Sequence, residues 1–224
     1  MNQFSPLKRP AATIAGLAIA LFASPLFIAA YRRITGENHS DWQVVGRELG
    51  IFLLVGVLLW IVRTQEALPL TSIGWHTEKL RRSLLRGLAL TVIVLAVTVC
   101  LYLLLQRLDI RLGEEHNSVF HPSLLVVTLI MLRAGISEEI FYRGYAIERL
   151  QSLFGNKVLA SAVPLIIFAA GHYRQGLGGI VATFVLGGIF TIFYLKYRDL
   201  LANITAHFLG DFVLNVILPL VSGG

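Results

Sequence analysis

The feature that most constrains this chain is a series of long apolar runs, each near the length needed to cross a bilayer. A spanning helix takes roughly 20 mostly apolar residues. The runs are Ala11 to Ala30, Val44 to Val62, Gly87 to Leu105, Ser123 to about Leu150, Val158 to His172, Gly179 to Tyr194 and Leu201 to Val221. Hydrocarbon offers the backbone no water, so only helices or closed barrels cross it. These runs are too long and too evenly apolar for the alternating strands of a barrel. The expected fold is all-α: a polytopic transmembrane helical bundle of about seven spans. Composition agrees, since 56% of the 224 residues are hydrophobic and 14% are charged, where soluble domains carry about a quarter charged. The chain reads as one compact membrane domain, with about three N-terminal helices in residues 1–122 and a core in residues 123–224. Lys8 and Arg9 precede the first run as they would in a signal peptide. That run is long for one and lacks a clear cleavage site, so a retained helix is expected.

The net charge of +6 does not require nucleic acid, because cytoplasmic loops of membrane proteins are basic. Arg63, Lys79, Arg81, Arg82 and Arg86 fall in one loop. Lys8, Arg9, Arg149, Lys157, Lys196 and Arg198 fall on the same side, against Arg32, Arg33, Arg107, Arg111 and Arg174 on the other. This bias predicts a cytoplasmic N-terminus in a multi-pass protein of a bacterial inner (plasma) membrane. Cys100 stands alone in an apolar run. It can form no internal disulfide and is expected as a small buried hydrophobe. Gly179, Thr183 and Gly187 recur every four residues, a spacing that permits close helix contact.

Charged groups inside a membrane are costly and usually mark function. In "ISEEIFYRGY" (136–145), Glu139 and Arg143 are four apart and share a helix face. Glu138 lies about 100° away and needs another partner or another purpose. "FAAGH" ends in His172, and the last run carries Asn203, His207, Asp211 and Asn215 at every fourth position. That polar stripe must face other polar groups or water. The Asn203-Ile204-Thr205 sequon sits in or beside a membrane helix and is discounted as a glycosylation site. "GEEH" (113–116) has the same residue types in a polar loop, where solvation explains them. His39, His76 and His121 lie in loops or at helix ends and carry no signal.

Glu138, Glu139, Arg143, His172, His207 and Asp211 brought together could hydrolyse a bond in two ways. A Glu–His pair can deprotonate water while another donor stabilises an oxyanion. Alternatively Glu138, His172 and His207 could hold zinc with an open position for water. No His-Glu-x-x-His helix and no Gly-x-Ser-x-Gly turn is present.

"EEIFYR", "FAAGH" and "HFLGD" together resemble the three motifs of the CPBP family, the CAAX prenyl endopeptidase and bacteriocin-processing (Abi) membrane proteins. The family patterns are Glu-Glu-x-x-x-Arg, Phe-x-x-x-His and His-x-x-x-Asn/Asp, in that order. The resemblance covers roughly 123–215 and makes 123–224 the catalytic core; the first three helices contribute no motif. It implies an intramembrane endopeptidase acting on a membrane-associated protein or peptide. By position, Glu138 would activate water with His172, His207 and Asp211 would line the oxyanion side, and Glu139 and Arg143 would support the site. An ionised Asp211 cannot donate a hydrogen bond, so it would orient His207 or be protonated. The metal-free glutamate mechanism is favoured over zinc. The alternatives are a non-catalytic scaffold or bacteriocin-immunity protein, and a small proton-coupled transporter. The transporter calls for inverted repeats or broken helices that the sequence does not show. A shared site also requires His172, at the end of the fifth run, to meet Glu138 at depth.

Overall fold

The structure is a computed structural model describing residues 9–36, 40–110 and 123–222. Lys8, His39, Arg111, the 113–116 tetrapeptide and His121 lie outside the described residues. Within them there is no strand, and besides two short 3-10 helices (Leu70–Ile73 and Tyr173–Gln175) there are seven main helical segments. They are α1 (Pro10–Thr35), α2 (Asp41–Gln65), α3 (Leu80–Arg107), α4 (124–154), α5 (Lys157–Gly171), α6 (Gly176–Tyr197) and α7 (Leu200–Val221). Five of these (α1, α2, α3, α6 and α7) are long and apolar enough to cross a membrane. The chain is a multi-pass membrane protein. The helical membrane bundle is as expected, while five segments, against the expected count of about seven, have the length and composition of a span among the described residues; the other two differ in kind. α4 carries four charges between Arg133 and Arg143, and α5 has only 15 residues.

Local chemistry sets the helix starts. Ser40 and Gln43 form a reciprocal capping box at α2. Asn156 caps α5 by accepting from the Val158 and Leu159 amides. Asp199 caps α7 through the Ala202 amide and also binds Arg86 at 3.0 Å. Within α4, Glu139–Ile147 is π-helical and wholly buried. Such wide turns are rare and gather at functional sites.

α4 is the centre of the bundle. α1 and α2 pack on one side of it, α5 and α7 on others, with α3 along α7 and α6 along α5. Leu17, Ile51, Leu58, Ile140, Phe141 and Tyr145 form one core across both halves of the chain. Gly135 lets the α4 backbone meet α7, since a Cβ there would lie 2.9 Å from the Phe208 amide nitrogen. This contact seats His207 beside Glu138 and Glu139. Apolar side chains such as Leu53, Val92 and Ile192 face outward, where lipid takes the place of a core.

Two expectations need correction. Cys100 is exposed, because it lies on the outward side of α3, where a small apolar residue meets lipid instead of protein. Arg149 is not a loop charge. It is buried in α4 and pairs with Glu66 at 2.7 Å. Glu66 also accepts from Tyr145 and Thr13, at 2.8 and 2.9 Å. A buried guanidinium requires this degree of pairing, and the network ties α1 and the end of α2 to α4.

Candidate active site

Glu139 is fully buried and accepts from three groups. Arg143 Nη1 donates to Oε1 at 2.8 Å, Asn203 Nδ2 to Oε2 at 3.0 Å, and His207 Nδ1 to Oε1 at 2.8 Å. An ionised carboxylate only accepts, so His207 carries its proton on Nδ1 and turns Nε2 away from Glu139. That nitrogen faces Asp211 Oδ2 at 3.5 Å and Glu138 Oε2 at 3.8 Å. Phe190 stacks on the imidazole at 5.2 Å.

Arg143 is held on every side. Besides Glu139 it donates to the Gly187 carbonyl at 3.2 Å, and it lies 4.5 Å from the Phe168 ring centre and 5.6 Å from that of Phe190. A Cβ on Gly187 would stand 3.0 Å from Arg143 Nη2 and Leu165 Cδ1, and 3.2 Å from Phe168 Cδ1. Gly187 thus makes room for the guanidinium. At Gly179 the three atoms nearest to such a Cβ all belong to Gln175 of the preceding turn, so the close contact with another helix is at Gly187. Gly187→Ala is expected to cost about 1–3 kcal/mol of stability through overpacking. Thermal unfolding in detergent would measure it, and an unchanged midpoint would show that Arg143 can move aside.

Phe168 also explains why "FAAGH" works as a unit. Its carbonyl accepts from His172 Nδ1 at 2.9 Å, and its ring meets His172 edge-on at 4.9 Å and Tyr142 at 4.9 Å. A carbonyl cannot donate, so Nδ1 carries the proton and Nε2 keeps the lone pair. The 15 residues of α5 extend about 22 Å, less than a hydrocarbon core of roughly 30 Å, and His172 at its end lines the same cavities as Glu138.

Glu138 is 18% exposed and accepts from Arg133 Nη1 at 3.2 Å. Arg133 also donates through Nε to Glu48, which is fully buried and pairs with Arg47 Nη2 at 2.6 Å. Sequence reasoning gave no role to Arg133, Arg47 or Glu48. A lone arginine in "LIMLRAGI" was the available signal. Its carboxylate partner 85 residues earlier was not legible. The N-terminal helices carry no motif, yet α2 braces the Glu138 partner.

Two adjoining cavities, about 430 and 290 Å³, share Arg133, Glu138, Phe168, His172 and Gln175 as lining. His207, Asp211 and Asn215 line the larger one. Asn203 lies behind it, buried against Glu139 and the Phe190 carbonyl. Asn215 donates to the Asp211 carbonyl at 2.8 Å. The stripe on α7 faces the site along its length. Among the described residues no three His, Cys, Asp or Glu side chains form a group that would hold a metal ion, Glu138, His172 and His207 included. As placed, that trio does not fit zinc.

Residues 120–213 match the family described as type II CAAX prenyl endopeptidase Rce1-like. Over this stretch, less than half of the chain, the C-terminal core is similar to that family. No curated protein and no solved structure matches the chain. The catalytic groups and the substrate must be argued from this chain's own residues.

Proposed function

We propose that this protein is an intramembrane endopeptidase that hydrolyses a peptide bond in a membrane-associated protein or peptide, with water activated by Glu138 and His172. The observation that carries this reading is that both residues line the same cavities, Glu138 as a carboxylate with a single arginine contact and His172 with its Nε2 lone pair available. A water between them would give its proton to Glu138 and hydrogen-bond to His172 Nε2 as its oxygen attacks the carbonyl carbon. The carbonyl oxygen then takes on negative charge. His207 can donate to it from Nε2 when the ring carries both protons, and Asp211 orients that ring. Glu138 returns the proton to the leaving amine as the carbon–nitrogen bond breaks. Glu139, Arg143 and Asn203 position His207 and touch no reacting atom. No cofactor is assigned, and cleavage is expected to continue after dialysis against a chelator.

The test is cleavage of candidate membrane peptides by purified protein, comparing wild type with Glu138→Gln and His172→Ala. A function that survives both substitutions at normal membrane levels would favour a scaffold or immunity protein. Prenylated substrates are not assigned.

The basic loops support a cytoplasmic N-terminus, and together with the compact 224-residue chain they support a bacterial cell membrane. α1 and α2 bring the chain back to the N-terminal side, where Lys79, Arg81, Arg82 and Arg86 gather. In a Cys100→Ala background, Thr77→Cys is expected to react with an impermeant maleimide only after the cells are permeabilised. Labelling of intact cells would reverse the orientation.

A further inference from the structure

The smaller cavity leads away from Glu138 and His172 to a wall of arginines. Arg32, Arg47, Arg133 and Arg174 all line it. Arg32 comes from the last turn of α1, Arg47 from the second turn of α2 and Arg174 from the short turn after α5. Three chain segments therefore converge there. Arg133 and Arg47 share Glu48 behind the wall, and Arg133 also holds Glu138. Leaving Arg174 aside, among the described residues three guanidinium groups meet two carboxylates, so these groups carry an excess of positive charge. Arg32 supplies it, and its Nε is buried with no hydrogen-bond partner. Burying a guanidinium donor without a partner is unfavourable, and a carboxylate is the partner its planar fork fits best. Apolar Pro25, Ile28 and Tyr142 flank the same cavity, so its walls suit a chain with an apolar stem and an acidic end.

We infer that this basic vestibule is a substrate subsite that binds a carboxylate carried by the peptide a few residues from the scissile bond, with Arg32 as its principal contact. The inference rests on the endopeptidase reading, because the vestibule opens directly onto Glu138 and His172. That continuity favours a peptide over a lipid headgroup, since the occupant must extend to the water-activating pair. The vestibule lies at the end of the bundle where α1 meets α2, opposite the basic loop between α2 and α3. Acidic segments would therefore approach from the face away from the N-terminus.

The test uses the Glu138→Gln protein in phosphatidylcholine nanodiscs, so that binding is read without turnover. Two fluorescein-labelled, amide-terminated peptides are titrated, Leu-Ala-Leu-Ala-Asp-Asp and its Asn-Asn counterpart. The acidic peptide is expected to bind about tenfold more tightly at low salt. Adding Arg32→Gln should cut that preference to about threefold or less, and Arg32→Lys should retain most of it. Equal binding of the two peptides overturns the subsite without recourse to any Arg32 variant. So does a preference that persists in Arg32→Gln. A preference that vanishes in phosphatidylglycerol nanodiscs, with Arg32-dependent lipid binding in its place, assigns the wall to headgroups instead and also overturns it. Cleavage by the wild-type protein is scored separately. Cleavage with no acidic preference removes the subsite and leaves the protease, whereas preference with no cleavage of either peptide keeps the subsite and removes the protease reading.

Discussion

Glu138→Gln is expected to lower the rate of peptide-bond cleavage on the order of 10³-fold while leaving the helical bundle intact. The amide keeps the shape of the side chain and its contact with Arg133, but it cannot take a proton from water. Loss of a general base typically costs 10²–10⁴ in rate. The folded state loses little, because Glu138 is partly exposed to the cavity and Arg133 keeps Glu48 as its main partner. A stability change within about 0.5 kcal/mol is expected, as for substitutions that break no buried network. The two readouts together are kcat on a cleaved membrane peptide and the thermal unfolding midpoint. A variant that stays folded and cleaves at near wild-type rate would remove Glu138 from the chemistry. If the rate falls only because the protein unfolds, Glu138 is structural.

Arg143→Leu should do the reverse and act first on the fold. The guanidinium is 1% exposed, pairs with Glu139, donates to Gly187 and lies between two aromatic rings. Leucine fills part of the volume but leaves Glu139 as a buried carboxylate without its cation. Breaking a buried ion pair from one side typically costs about 3–5 kcal/mol. The loss should appear as poor membrane yield and a lower unfolding midpoint in detergent. Adding Glu139→Gln to Arg143→Leu should recover part of it, since the stranded charge is then gone. An Arg143→Leu protein as stable as wild type would mean that Glu139 does not depend on Arg143. The contrast between neighbours follows from their surroundings: Glu139 is enclosed by donors, whereas Glu138 opens onto a cavity.

Much of this arrangement was legible in the chain. The Glu139–Arg143 pairing follows from helical spacing alone, and so does the inward stripe of Asn203, His207, Asp211 and Asn215. These are local regularities, set by the pitch of one helix and the cost of exposing polar groups to lipid. Arg149 shows where such reasoning stops. As a basic residue near a helix end it reads as a loop charge, and only Glu66, far away in the sequence, makes it a buried partner. Cys100 failed for a related reason, because an apolar run does not show which of its sides meets protein and which meets lipid.

By itself the sequence determined that the chain is a helical membrane bundle, because long apolar runs leave the backbone no other way to satisfy its hydrogen bonds. It also determined which polar residues are out of place in such a bundle. Only the tertiary structure decided what those residues meet. It put His207 against Glu139 through the close approach of α4 and α7 at Gly135, and it brought His172, at the end of α5, to the cavities that Glu138 lines. It also braced Arg133 with Glu48 from α2 and raised a wall of arginines beside Glu138. These contacts join residues tens of positions apart, and packing geometry, which no local spacing encodes, selects them.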